Sequence, residues 1–315
     1  MELRDRIKRY LEENGVSQNR FAKTIGVNGA YLSRYLEEGS GYRYAGKIEG
    51  PAAKYIDNCS TKTQEGVREP IPFIVTRDVN NAFFVIDDAV DIGKIAVITG
   101  TPGCGKTRTI REYVQERPNA VLIEATIRTR GKELFEMIAK RLGVKTLASQ
   151  DAMVRECAEE LTRSEKFFIV DEAEHLSYAA LELLRRLHDF SGRALILVGT
   201  EQLVDNLRGA KSSTRKAREY RQLSSRIVGK YEFKGLAYKR EVAEKIVEEQ
   251  KDLIAYCEAL GVKNTGAIKT TKLLARGNVR KIENLLERAK RLARISNAQI
   301  DAELIKEASA MVFLD

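Results

Sequence analysis

The chain has 315 residues, 43% of them hydrophobic and 31% charged, with a formal charge of +9. At roughly 150 residues per domain this predicts two or three domains with ample apolar material for cores, which excludes a mainly disordered chain. No apolar run approaches the ~20 residues that span a bilayer, and the charged first residues carry no signal-peptide block, so a cytoplasmic protein with no membrane partner is expected.

Residues 1–58 read as a small helical unit. Leu3, Ile7, Tyr10 and Leu11 have helical spacing up to Asn14-Gly15, Ser17 can cap a second helix carrying Phe21 and Ala22, and Asn28 can cap a third through Leu32 to Leu36. Small Ala22, turn-forming Gly26 and space-filling Leu32 give the spacing of a repressor-type helix-turn-helix. On that resemblance Asn28, Gly29, Ser33 and Arg34 would lie nearest DNA. A plain three-helix bundle needs the same small residue and turn glycine. From Gly39 to Pro72, glycines and prolines interrupt the pattern; a short helix around Ala52–Asn58 and a linker over 59–72 are expected.

Residues 73–235 alternate short Val/Ile-rich runs with amphipathic helices, as in a three-layer α/β domain with a parallel sheet. The strand candidates are Ile95–Thr99, Ala120–Glu124, Phe167–Val170 and Ala194–Val198. From 236 to 315 the pattern reads as wholly helical, with helices over Tyr238–Leu260 and Lys269–Ala275, a third after Asn278, and a last one capped by Asp301. Four cysteines at 59, 104, 157 and 257 form no CxxC pair, and His175 and His188 add little, so reduced, mostly buried thiols are expected and not a zinc site. The charge is uneven. Between Arg208 and Arg240 lie eleven Lys and Arg against two acids, equal to the whole surplus. Such a segment predicts a polyanion partner, nucleic acid, against the alternative of a solvated basic face.

Two motifs carry chemistry. Gly100-Thr101-Pro102-Gly103-Cys104-Gly105-Lys106-Thr107 follows a strand and opens a helix, which is the phosphate-loop pattern in its required setting. Its glycines let backbone N–H groups enclose phosphates, with Arg108 next in line. Lys106 would neutralise the β- and γ-phosphates of ATP, and Thr107 would ligate Mg²⁺. Asp171-Glu172, 65 residues after Lys106, leave a buried strand at its C-terminal end, where ligands collect in open α/β sheets. There Asp171 would hold the ion's water shell and Glu172 would deprotonate the attacking water.

Together these motifs resemble the AAA+ ATPases. The resemblance implies a sensor role for Thr200 after the Ala194–Val198 strand, an arginine finger at Arg226 (with Arg218 and Arg221 as competitors), and a lid arginine at Arg280. His175 could sense the nucleotide or simply pack against the sheet. The order of parts resembles the phage Mu B-type transposition ATPases of bacterial hosts. It implies ATP-dependent assembly as helical homo-oligomers on DNA of any sequence, and delivery of that DNA to a transposase. Glu174 stands where that group often has a second Asp. A replication initiator or helicase loader, or an ATP-switched transcription regulator, would use the same parts. The candidate phosphate contacts in the basic segment are Lys211, Arg215, Lys216 and Arg218, supplemented by Ser212, Ser213 and Thr214.

Overall fold

The computed structural model describes residues 2–14, 16–66, 71–208, 224–242 and 245–312. The chain divides between Ile71 and Pro72 into two compact units.

The first unit contains α1 (Leu3–Asn14), α2 (Gln18–Thr24), α3 (Gly29–Glu38), a 3₁₀ turn at Gly39–Gly41, and α4 (Ala45–Gly66). Ser17 accepts from the Arg20 N–H and Asn28 from the Ala30 N–H, so each cap silences an orphan donor at its helix start. Gly26 has φ +72°, and Ala22 and Leu32 are fully buried between the helices. Helix takes the place of most of the expected linker. α4 is 22 residues long and runs through Pro51 and on to Gly66. Ala45, Ile48, Ala52 and Ile56 recur at helical spacing and are all buried, so packing of this stripe overrides the glycine and proline breakers.

The second unit opens with α5 (Arg77–Asp91) and alternates β1 (Ile95–Thr99), α6 (Lys106–Glu116), β2 (Ala120–Glu124), α7 (Gly131–Leu142), α8 (Gln150–Ser164), β3 (Phe167–Asp171), α9 (Tyr178–Ser191), β4 (Leu195–Gly199), α10 (Glu201–Arg208) and β5 (Ile227–Glu232). The five strands are parallel in the order β2-β3-β4-β1-β5, so β4 lies between the strand before the phosphate loop and the strand bearing Asp171. Alternation sorts the two faces. Ile95, Val97, Phe168, Val170, Leu195 and Leu197 pack under α7 to α10. Ala96, Ile98, Phe167, Ile169, Ile196 and Val198 pack under α5 and α6. This is the expected three-layer core with a fifth strand, β5, that the sequence hid inside its basic segment.

Beyond Gly235 the all-helical expectation fails at its start. In place of a helix over Tyr238–Leu260, β6 (Tyr238–Val242) pairs antiparallel with β7 (Lys245–Glu249), and α11 spans only Lys251–Ala259. The closely spaced Lys and Glu of this stretch suit a helix, but Val242, Ile246 and Val247 are good strand formers, and strand pairing wins. Then come α12 (Thr265–Ala275), α13 (Val279–Ser296, capped by Asn278) and α14 (Ala302–Ser309, capped by Asp301), closed around Leu253, Ile282, Leu285, Leu286 and Ile305. Cys104, Cys157 and Cys257 are free and buried, and burial pushes the Cys157 and Cys257 thiols up to about 11 and about 12. No helix among the described residues is long and apolar enough to cross a membrane.

Candidate nucleotide site

The phosphate loop leaves β1 at Gly100 and enters α6 at Lys106. Gly103 and Gly105 take φ +82° and +101°, a region closed to most side chains, and this turns the intervening backbone around a hollow. The close packing also forbids a Cβ at Gly100, where it would meet Phe233 Cβ at 2.7 Å and Cys104 Sγ at 2.8 Å. Lys106 is almost fully buried and folds back into the loop, donating to the carbonyls of Gly100 at 2.6 Å and Thr101 at 3.1 Å. Phosphate oxygens entering the hollow would replace those carbonyls as acceptors.

Asp171 is the last residue of β3 and is 2% exposed, facing the loop. The Thr107 hydroxyl donates to its carboxylate, and the Glu172 N–H donates at 2.9 Å. Burial raises the Asp171 pKa above the ordinary carboxyl value despite those donors and nearby Lys106. Thr107 and Asp171 thus stand together as an oxygen pair. Among the described residues no three His, Cys, Asp or Glu side chains gather to hold a metal by themselves. Mg²⁺ at nucleotide sites takes only one or two protein oxygens, with phosphate and water completing its shell, so the pair fits it.

Glu172 stands exposed just past the strand end, with a left-handed backbone of φ 55°. His175 does not pack on the sheet; it is exposed, with Nε2 3.8 Å from Glu172 Oε2. Glu174 Oε2 is buried against Gly199, where a Cβ would lie 2.5 Å from it, one residue before Thr200 at the end of β4. The sheet register therefore gathers Lys106, Thr107, Asp171, Glu172 and Thr200 at one edge.

Arg280 and Arg226 fall differently. Arg280 lies at the start of α13, whose first turn is bonded to the phosphate loop: Asn278 Nδ2 donates to Pro102 O at 2.8 Å and Arg280 N to Gly103 O at 3.1 Å. Arg226 precedes β5, and the register Ile95↔Ile227 through Thr99↔Glu232 puts it at the opposite edge of the sheet, about 15 Å from its own loop at ~3.3 Å per residue. Its Nε donates to Asp189 at 2.6 Å, and Asp189 also accepts from Arg185. Lys211, Ser212, Ser213, Thr214, Arg215, Lys216, Arg218 and Arg221 lie outside the described residues.

Several contributors escaped the sequence reading. A narrow cleft beside the loop is lined by Phe73, Val79, Cys104, Phe233, Tyr256 and Val279, among others. Buried Asp78 at the start of α5 accepts from Tyr231 Oη (2.7 Å), Lys234 N (3.0 Å) and Gly235 N (2.8 Å), which stitches α5 to the exit of β5. Arg108 donates to Glu283 at 3.1 Å, and Tyr256 Oη donates to the same carboxylate. Their signal was faint: an Asp two residues after a cap threonine, and an ordinary helix glutamate.

A five-stranded parallel sheet with a phosphate loop, a buried strand-end Asp, an adjacent Glu and a small C-terminal unit touching the loop defines an AAA+ ATPase, and residues 91–207 match the AAA domain family. The chain is 31% identical over 232 residues to the Mu-like prophage FluMu DNA transposition protein B of Haemophilus influenzae, covering 72% of this chain and 78% of that one. It belongs to that family of transposition B proteins. The ATP-dependent target DNA activator B of Escherichia phage Mu is 29% identical over 160 residues, 50% of this chain and 51% of that protein. Among solved structures, the RuvB Holliday junction branch migration motor of Thermotoga maritima aligns with a TM-score of 0.49 at 17% identity, over 77% of this chain and 71% of that one.

Proposed function

We propose that this transposition-associated ATPase binds duplex DNA with little sequence preference, assembles on it as an ATP-dependent homo-oligomer, and hands that DNA to a transposase. The observation that carries the reading is the direct bonding of the α13 N-terminus to the phosphate loop, because whatever fills the loop then sets the position of the C-terminal unit.

In this reading the nucleotide base lies in the apolar cleft beside Phe73 and Val279, and the loop N–H groups and Lys106 hold the phosphates. Thr107 and Asp171 hold Mg²⁺, which supplies charge neutralisation on the phosphates when bound. Glu172 accepts the proton of the attacking water, and Thr200 orients the reacting group. Arg226 is too far from its own loop to act there, which supports its acting on a neighbour's nucleotide and makes each site composite. Asn28, Ser33 and Arg34 of the first unit and the basic segment after Arg208 would contact DNA.

The homologue named an ATP-dependent target DNA activator supports the coupling of ATP to DNA. Electron microscopy with random-sequence duplex tests it: regular assemblies with ATP, and far fewer with ADP or none, are expected. Identical images in all three states would overturn it.

A further inference from the structure

Between α3 and α4 the chain does not leave the first unit; it folds back on α3. The rings of Tyr31 and Tyr44 stack with centroids 5.2 Å apart and planes 15° apart, and Tyr42 sits edge-on to Tyr44 at 5.8 Å. The Arg43 guanidinium carbon lies 5.5 Å and Lys47 Nζ 5.4 Å from the Tyr44 ring centroid. Tyr42 is buried and anchors the turn, while Tyr31 is 38% exposed and Arg34, one turn along the same helix face, is also exposed. Among the described residues, Arg34, Arg43 and Lys47 have no carboxylate within ion-pair distance. The Glu49 carboxylate accepts from the Tyr35 hydroxyl at 3.0 Å and forms no ion pair with Arg34, Arg43 or Lys47.

We propose that Tyr31, Arg34, Arg43, Tyr44 and Lys47 form one surface that seats a phosphate strand of duplex DNA. The proposal rests on the DNA-binding reading above, shares Arg34 with it, and adds contacts at Tyr31, Arg43, Tyr44 and Lys47 that it does not name. Three cations without acidic partners on one face complement a polyanion. The ring stack holds Arg43 and Lys47 near one position, so less side-chain freedom is lost when a phosphate binds. Tyrosine hydroxyls add neutral donors to phosphate oxygens. Contacts of this kind set the register of the unit on the duplex and carry no sequence information.

The test uses the full-length protein without nucleotide, so that assembly does not multiply the effect, and a short duplex of random sequence. Binding is measured across a salt series. Replacing both Arg43 and Lys47 by Ala should flatten the slope of log affinity against log salt by about 1.8, two phosphates at ~0.9 each. Tyr44→Leu should weaken binding several-fold although every charge is kept, and Tyr44→Phe should restore most of the loss. Circular dichroism melting checks that each variant is folded; the doubly substituted variant changes only exposed side chains and decides the matter if Tyr44→Leu unfolds. An Arg34→Ala variant with a flatter slope beside an unchanged Arg43/Lys47 variant would overturn this inference and leave the α3 reading standing. A wild type that binds the duplex only with ATP moves the same salt series to saturating ATP, with the same outcomes; a wild type that binds it neither without nucleotide nor with ATP would overturn both.

Discussion

Glu172 holds a left-handed backbone, φ 55°, that costs a non-glycine residue about 1–2 kcal/mol. The bond from its N–H to the Asp171 carboxylate and the 3₁₀ turn after it keep it there, so the strain stands at the residue assigned to take the proton. Glu172→Gln keeps shape and loses the proton acceptor; turnover should fall by about 10²–10⁴ while ATP stays bound. Turnover equal to wild type would move the base elsewhere. Asp78 gives a pH prediction. Burial raises its pKa above the ordinary 3.8 despite three donors, so the folded state takes up its proton more readily than the unfolded chain. Its contribution to stability is therefore fully present below the unfolded value and is lost as pH rises through the raised folded value. In urea titrations, wild type should lose stability relative to Asp78→Asn over that window; a pH-independent difference would contradict it. The phosphate loop and acidic pair were legible in sequence because fixed spacing encodes them. Asp78 and Glu283 were not, because they act through partners 157 and 175 residues away.

At the scale of elements, the strands buried on both faces were legible from their unbroken apolar runs, whereas β5 is an edge strand of mixed character and was not. α4 and the β6–β7 hairpin went wrong for opposite reasons: tertiary packing overruled helix breakers in one, and strand pairing overruled helix-like charge spacing in the other. The join between core and C-terminal unit depends on two glycines that meet backbone to backbone. A Cβ on Gly235 would lie 2.7 Å from Gly277 O, and one on Gly277 would lie 2.7 Å from Ala237 N. Gly143 has the same φ of +76° as Gly277 but open space around it. Gly143→Ala should thus cost only the conformational ~1–2 kcal/mol. Gly277→Ala should cost clearly more by urea denaturation and also weaken nucleotide binding; equal losses would show that the close approach is unimportant.

At the scale of the whole molecule, the division after Ile71 leaves every described nucleotide-site residue in the second unit. A fragment of residues 72–315 should fold and bind ATP with wild-type affinity, measured by fluorescent-nucleotide titration; failure would give the first unit a part in the site. Arg226 makes the matching test of assembly. Arg226→Ala subunits mixed with Lys106→Ala subunits should recover part of the hydrolysis that neither shows alone, since a finger in trans contributes ~10³–10⁵ in rate in related chemistry. No recovery at any ratio, with assembly intact, would exclude donation between subunits. Were the crossing of Gly235 and Gly277 to act as a pivot, α13 would be the arm that leaves it. At 1.5 Å per residue its 18 residues reach about 27 Å, so a turn of about 10° at the pivot sweeps the far tip through about 5 Å. Ile295, 75% exposed, rides at that tip. A displacement too small to notice beside a phosphate would then arrive there as a step the width of a side chain.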